Sequence, residues 1–131
     1  MIGLDTNVLL RLFLEDDPAQ CERARSFVDA ATADEPCVVN PVVLAEFAWT
    51  LARSYKKKRP EVARLVEGVL SMDDLEIPYR SAAQGALTAF RADKADFSDY
   101  FLAELNAEFG CASTATFDRA ALDSPSFSPV P

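Results

Sequence analysis

The sequence contains no histidine among its 131 residues, and this absence removes several kinds of catalytic site. Without histidine the chain cannot form a Ser-His-Asp triad, a histidine general base or a histidine-rich zinc site. Any hydrolytic activity must therefore depend on other groups, and carboxylates that hold a metal ion are the obvious alternative.

Cysteine is scarce, and long apolar segments are missing. Cys21, Cys37 and Cys111 lie far apart and form no Cys-x-x-Cys pair, which favours small buried side chains in a reducing cytosol over a zinc site or a disulfide. No apolar run reaches membrane-spanning length, and the N-terminal residues lack the pattern of a signal peptide. These absences predict a cytoplasmic protein that does not enter a membrane.

The formal net charge of −8 argues superficially against a nucleic-acid partner. However, carboxylates that bind cations add to this formal count, and bound metal ions would reverse the local sign of the charge. The positive residues are also concentrated, because five lysines and arginines fall between positions 53 and 59. The charge balance therefore leaves RNA open as a partner.

Short apolar segments alternate with helical patterns along the chain. Strands are predicted at Met1–Leu4, Cys37–Val39, Leu75–Ile77 and Cys111–Ala115. Asp17-Pro18 and Asn40-Pro41 are typical helix starts, and residues 124–131 read as a mostly irregular tail. This alternation predicts one α/β domain over residues 1–131, with a parallel sheet between helices.

Four acidic residues occupy junctions between predicted elements, namely Asp5, Glu46, Asp99 and Asp118. Asp5 and Asp118 directly follow the first and fourth strands, so we expect both at the carboxyl edge of one sheet, where ligands of such sheets bind. Oxygen-rich sites suit magnesium or manganese. The combination therefore predicts a site for a hard cation.

Each acid also has a simpler interpretation. Asp5 could cap the first helix, although the two residues after it are equally good caps. Glu46 shares a polar stripe with Thr50, Arg53 and Lys57, which is also typical of a solvated helix face. If Glu46 faces the site, the same stripe lays Arg53 and Lys57 along an adjoining groove, where they would meet phosphate.

The third acidic segment contains two candidates. Asp96 is well explained as a helix N-cap, whereas Asp99 follows in the first turn, where the helix dipole favours an acid. We therefore expect Asp99 to be the metal ligand and Asp96 to be a cap or a residue beside the site. Asp118 could also begin a short helix of its own.

At this point the chain resembles the PIN domains, and specifically the VapC-type toxin ribonucleases of toxin–antitoxin pairs. The resemblance rests on the segments Leu4–Leu10, Leu44–Phe47, Asp96–Asp99 and Thr114–Asp118. It extends from the first residue to Asp118. The ordered set is specific, although each segment is short.

The resemblance implies a magnesium- or manganese-dependent endoribonuclease with a PIN-like three-layer sandwich, in which a short and mostly parallel sheet lies between helices. It implies a homodimer that acts on RNA such as tRNA or rRNA and is inhibited by a small antitoxin. The family's four acids match Asp5, Glu46, Asp99 and Asp118. The polar positions beside them match Thr6, Asn7 and Thr116, with Asp96 as an additional acid, and the RNA-binding candidates are Arg53, Lys56, Lys57 and Arg59.

Two other functions stay open at the level of sequence. A phospho-receiver domain is also a small α/β fold with metal-binding acids, but it would need paired acids after the first strand, and only Asp5 is present there. It would also need a lysine after the last strand, where the chain has Asp118. A degenerate PIN domain that only binds RNA or protein is the second alternative, and the intact set of acids speaks against it.

Overall fold

The computed structural model describes all 131 residues as six α-helices and five short strands. In chain order these elements are β1 Ile2–Gly3, α1 Thr6–Phe13, α2 Pro18–Asp29, β2 Cys37–Val38, α3 Pro41–Arg53, α4 Arg59–Leu70, β3 Leu75–Glu76, α5 Arg80–Ala92, α6 Phe97–Glu108, β4 Thr114–Thr116 and β5 Phe127–Pro129. A single 3₁₀ turn, Ala121–Asp123, separates the last two strands.

The helix starts follow from local hydrogen bonding. The Asp17 side chain accepts a hydrogen bond from the backbone N–H of Gln20 at 3.1 Å, and the Asn40 side chain accepts one from Val43 at 3.0 Å. In both cases proline occupies the first turn, where its missing N–H has no helical partner to lose. These two predicted starts are confirmed.

All strand pairs are parallel, but they form two sheets. The first sheet has the order β1-β2-β3, with Ile2 opposite Cys37 and Cys37 opposite Leu75. The second sheet contains only β4 and β5, with Thr114 opposite Phe127. The α/β sandwich with a short parallel sheet is confirmed, but Asp5 and Asp118 follow strands of separate sheets, which differs from the shared edge that we expected.

The first strand lies at the edge of its sheet and is exposed. Ile2 keeps 52% of its surface accessible, and only Leu4, just beyond the strand, is buried. The sequence reads as a buried strand because its residues are apolar. The exposure arises because β1 has a single neighbour, β2, on one side.

The prediction of an irregular tail over residues 124–131 was wrong for Phe127–Pro129. These residues form β5, and Val130 N–H donates a hydrogen bond to the carbonyl of Thr116 at 3.3 Å. Phe127 is buried against the ring of Tyr100. The Ser and Pro content concealed this strand because an edge strand tolerates proline.

The core positions the helices that carry the acids. One cluster of 33 buried residues joins all layers, and the largest buried side chains include Phe47 of α3 together with Phe97, Tyr100 and Phe101 of α6. The helix α3 packs against α1, α4 and α6. It therefore brings its surface residues next to both α1 and the start of α6. None of the helices is long and apolar enough to cross a lipid bilayer.

Candidate active site

The first two acids are connected through Thr6. Asp5 caps α1, and its Oδ1 accepts a hydrogen bond from the backbone N–H of Thr6 at 2.7 Å. The buried Thr6 hydroxyl donates to Glu46 Oε2 at 2.9 Å, across a separation of 40 residues. Asp5 is thus a cap, as its simpler interpretation proposed, and it also lies beside the hydroxyl that holds Glu46.

Glu46 lies at the surface of α3, between buried neighbours. Leu44 and Phe47 are fully buried, whereas Glu46 is exposed. The hydrogen bond from Thr6 turns its carboxylate toward the start of α1. Asn7 is also exposed, and it lines the same open groove as Asp5.

The third and fourth acids are also neighbours. Asp99 is half-buried in the first turn of α6, and its Oδ2 accepts a hydrogen bond from the backbone N–H of Asp96 at 3.1 Å. Burial raises the pKa of the Asp99 carboxyl, and the negative charges of Asp96 and Asp118 raise it further, while the hydrogen bond from Asp96 opposes them. The negative charge of Asp118 therefore acts on the carboxyl group of Asp99.

A tight turn after β4 holds Asp118. Its backbone N–H donates to Thr116 Oγ1 at 3.0 Å, and its Oδ1 accepts from the backbone N–H of Ala120 at 2.9 Å. Thr116 therefore fixes the main chain at Asp118. The carboxylate itself stays exposed to solvent.

These acids form two groups in the structure, one around Thr6 and one at the start of α6. No three acidic, cysteine or histidine side chains lie where they could hold one metal ion together. The donor chemistry nevertheless fits a hard cation, because every donor is a carboxylate oxygen. The raised pKa of Asp99 also fits, because an adjacent cation would stabilise its charged form.

The predicted RNA-binding residues differ in their surroundings. The guanidinium of Arg53 lies 3.9 Å from Asp96 Oδ2 and is open to solvent. Lys57 Nζ lies 3.5 Å from Glu61 Oε1, while Lys56 is exposed in a left-handed backbone conformation with φ of 55°. Their contact with RNA stays a prediction.

Arg59 is engaged with the fold. Its guanidinium donates to the carbonyls of Phe90, Asp93 and Lys94 at 2.8, 2.8 and 3.3 Å. It also lies 4.0 Å above the centroid of the Phe90 ring. Arg59 thereby joins the start of α4 to the end of α5.

Trp49 is an aromatic residue of α3 that lies at the protein surface. The structure leaves 52% of its surface exposed, and Arg53 lies over its ring at 5.9 Å from the centroid. The helical spacing could have shown this, because Glu46, Trp49 and Arg53 stand at i, i+3 and i+7 on one face.

Comparison with known protein families gives a match to most of the chain. The sequence model of the PIN domain matches residues 2–125, a span that contains all four acids. No curated protein matches the chain.

Proposed function

Because this chain belongs to the PIN domain family, whose members are generally nucleases, we propose that it is a metal-dependent endoribonuclease and a toxin of the VapC type. The observation that carries the proposal is the hydrogen bond from the Thr6 hydroxyl to Glu46 Oε2, which is 2.9 Å long. It orients the Glu46 carboxylate toward the start of α1, where Asp5 is the N-cap. A buried hydroxyl that orients an exposed carboxylate is typical of the residues that support a metal site.

Four carboxylates would hold the cation, those of Asp5, Glu46, Asp99 and Asp118. Bound there, magnesium or manganese supplies positive charge that lowers the pKa of a water and stabilises the charge on the phosphodiester. Residues of the chain position these carboxylates. Thr6 orients Glu46, and Thr116 fixes the turn that carries Asp118.

The pKa of Asp99 predicts how the proposed site should respond to pH. Its pKa is raised by burial and by the charges of Asp96 and Asp118, so it retains a proton to higher pH than an ordinary aspartate. That proton must leave before the carboxylate can bind a cation. Cation binding, and with it hydrolysis, should therefore strengthen as the pH rises.

The proposed substrate is RNA, with tRNA and rRNA as the first candidates. Arg53, Lys56 and Lys57 supply positive charge along the end of α3 and the loop after it, where phosphate groups would approach the acids. Hydrolysis by a carboxylate-bound cation needs no 2′ hydroxyl. A preference for RNA must therefore come from the shape and contacts of this groove.

An antitoxin and a second copy of the chain are the proposed protein partners, carried over from the resemblance to VapC-type toxins. Three apolar residues of α1 do not supply the contact surface, because Leu9, Leu10 and Leu12 are buried. An open groove beside them is better suited, because it is lined by the exposed Ile2 and Phe27 and reaches Asp5. An arginine side chain of the antitoxin would pair there with the carboxylates.

The direct test is RNA cleavage with magnesium, with and without an excess of chelator. Asp5→Asn, Glu46→Gln and Asp99→Asn should each abolish cleavage while the fold is retained. The matched control is Asp34→Asn, which removes an exposed acid in the loop after α2 and should leave cleavage unchanged. Full activity in chelator would contradict the proposal.

A binding module without catalysis is the second candidate, because no three acids meet within reach of one ion in this structure. RNA binding without cleavage at any magnesium or manganese concentration would favour it. The family match favours both of these functions over a phospho-receiver domain.

A further inference from the structure

We propose that Trp49 and Arg53 form a platform on which one base of a single-stranded RNA stacks, next to the acidic residues. This inference deepens the proposed ribonuclease function and rests on it. It names a positioning site for the substrate, separate from the carboxylates themselves.

Trp49 is exposed at the surface of α3. The buried face of α3 consists of Phe47, Ala48, Leu51 and their neighbours, which pack into the core. Trp49 projects from another face and keeps 52% of its surface accessible, so its ring adds little to that core. A single exposed apolar side chain needs no special explanation, but Trp49 lines a groove together with Arg53, Lys57 and Asp96. Aromatic rings of this kind are what proteins use to stack unpaired bases.

Arg53 lies beside the ring of Trp49. Its guanidinium carbon lies 5.9 Å from the centroid of the Trp49 ring, while one of its nitrogens lies 3.9 Å from Asp96 Oδ2. The arginine is thus held next to the ring, with most of its side chain open to solvent. A guanidinium in this place can stack on the same base or bind the phosphate attached to it.

Trp49 lies near two of the acidic segments. Glu46 and Trp49 are three residues apart on α3, which corresponds to a rise of about 4.5 Å along the helix. On the other side, Trp49 and Arg53 share a groove with Asp96 and Ser98 at the start of α6. Asp99 follows in the same turn. A base on Trp49 therefore places a neighbouring phosphodiester beside the carboxylates.

The charges of the groove favour RNA over a protein as the occupant. Arg53 and Lys57 line the groove that contains Trp49, whereas Arg59 in the same lining is bound to main-chain carbonyls. Positive groups around one aromatic ring complement a base with its phosphates, which is the usual composition of single-strand binding sites. A protein that covers Trp49 is the competing outcome of the test.

Trp49 is the only tryptophan in the chain, so its fluorescence reports on this position alone. The wild-type protein would be titrated in chelator, to prevent cleavage, with a ten-nucleotide single-stranded RNA. A second titration would use an abasic oligomer of the same length and charge. Stacking should quench the fluorescence with the RNA and not with the abasic oligomer. Equal quenching by both, or none by either, would overturn the proposal.

The variants separate stacking from simple packing. With a labelled RNA, Trp49→Leu should weaken binding roughly tenfold or more, while Trp49→Phe, which keeps a ring, should lose less. Phe109→Leu is the matched control, because Phe109 is an exposed aromatic residue at the far end of α6. In cleavage assays with magnesium, Trp49→Leu should raise KM more than it lowers kcat.

The outcomes distinguish this inference from the proposed function. Cleavage by the wild type with unchanged KM in Trp49→Leu would overturn the platform and leave the ribonuclease proposal intact. No binding and no cleavage of any RNA would overturn both. If Trp49→Leu changes the oligomeric state and leaves the RNA affinity unchanged, Trp49 belongs to a protein interface. That result would overturn the platform.

Discussion

The hydroxyl of Thr6 on α1 donates a hydrogen bond to Glu46 on α3 at 2.9 Å, and Thr6 is itself buried. This hydrogen bond connects two acidic segments, because Thr6 and Glu46 are 40 positions apart in the chain. The same residue offers its backbone N–H to Asp5. Thr6 thus contacts two of the four candidate ligands, Asp5 through its backbone N–H and Glu46 through its hydroxyl.

Thr6→Val keeps the shape of this side chain and removes its hydroxyl. We expect a loss of about 1–2 kcal/mol in the free energy of unfolding, because a hydrogen bond to a charged group is lost. We expect a larger effect on RNA cleavage, because Glu46 would no longer be oriented. Thr6→Ser should retain most of the activity. Urea unfolding and cleavage rates of the two variants would show this contrast, and equal activity would contradict it.

Asp99→Asn should stabilise the metal-free protein at neutral pH. The pKa of Asp99 is raised in the folded state, so its ionisation opposes folding, and stability falls as the pH rises from the unfolded value through the folded one. Asparagine stays neutral and can still accept the hydrogen bond from Asp96. The difference in melting temperature should therefore be present at pH 7 and vanish in strong acid.

Magnesium should reverse the order of these two proteins. A ligand that binds only the folded state raises its stability with concentration, and wild type binds the cation better than Asp99→Asn does. The melting temperature should therefore rise with magnesium in wild type and much less in the variant. Potassium chloride at matched ionic strength is the control. An equal rise in both proteins would argue against Asp99 as a ligand.

Substitutions of Arg53 and Arg59 should affect different properties, RNA binding for Arg53 and stability for Arg59. Arg59→Gln loses hydrogen bonds to three carbonyls and the contact with Phe90, so we expect a loss of about 1–2 kcal/mol in stability. Arg53→Gln removes an exposed charge and should weaken RNA binding, with a smaller salt dependence and unchanged stability. Denaturation curves and binding at several salt concentrations would separate the two.

Phe127→Ala should destabilise the protein by about 3 kcal/mol, as is typical of a buried phenylalanine. The substitution removes the contact with Tyr100 and weakens β5 against β4. Because Asp118 lies two residues after the end of β4, cleavage should fall as well. Val130→Ala, a truncation at an exposed side chain beside the same strand, should change neither property.

The parts of the structure that local hydrogen bonds determine could be predicted from the sequence. The helix starts at Asp17-Pro18 and Asn40-Pro41 depend on residues within three positions of each other. The strand at Phe127–Pro129 could not, because it forms only against Thr114–Thr116. Long-range pairing outweighed the local preference of serine and proline.

The site shows the same division. The four acidic segments could be recognised from the sequence, and the family match spans all of them. Their surroundings could not, because the orientation of Glu46 depends on a hydroxyl 40 residues away. Arg53 and Arg59 belong to one run of charge, and only the folded chain shows that Arg59 binds carbonyls while Arg53 lies beside Trp49.

The pairing of β4 with β5 gives the site an order of assembly in time. Asp118 follows one strand of this pair, and the other strand lies at residues 127–129, later in the chain. While the protein is being synthesised, β4 therefore has no partner until those residues have left the ribosome. The last acid acquires its supported position only then. If Asp118 is a ligand, the proposed site is therefore completed only after both strands of this pair have emerged.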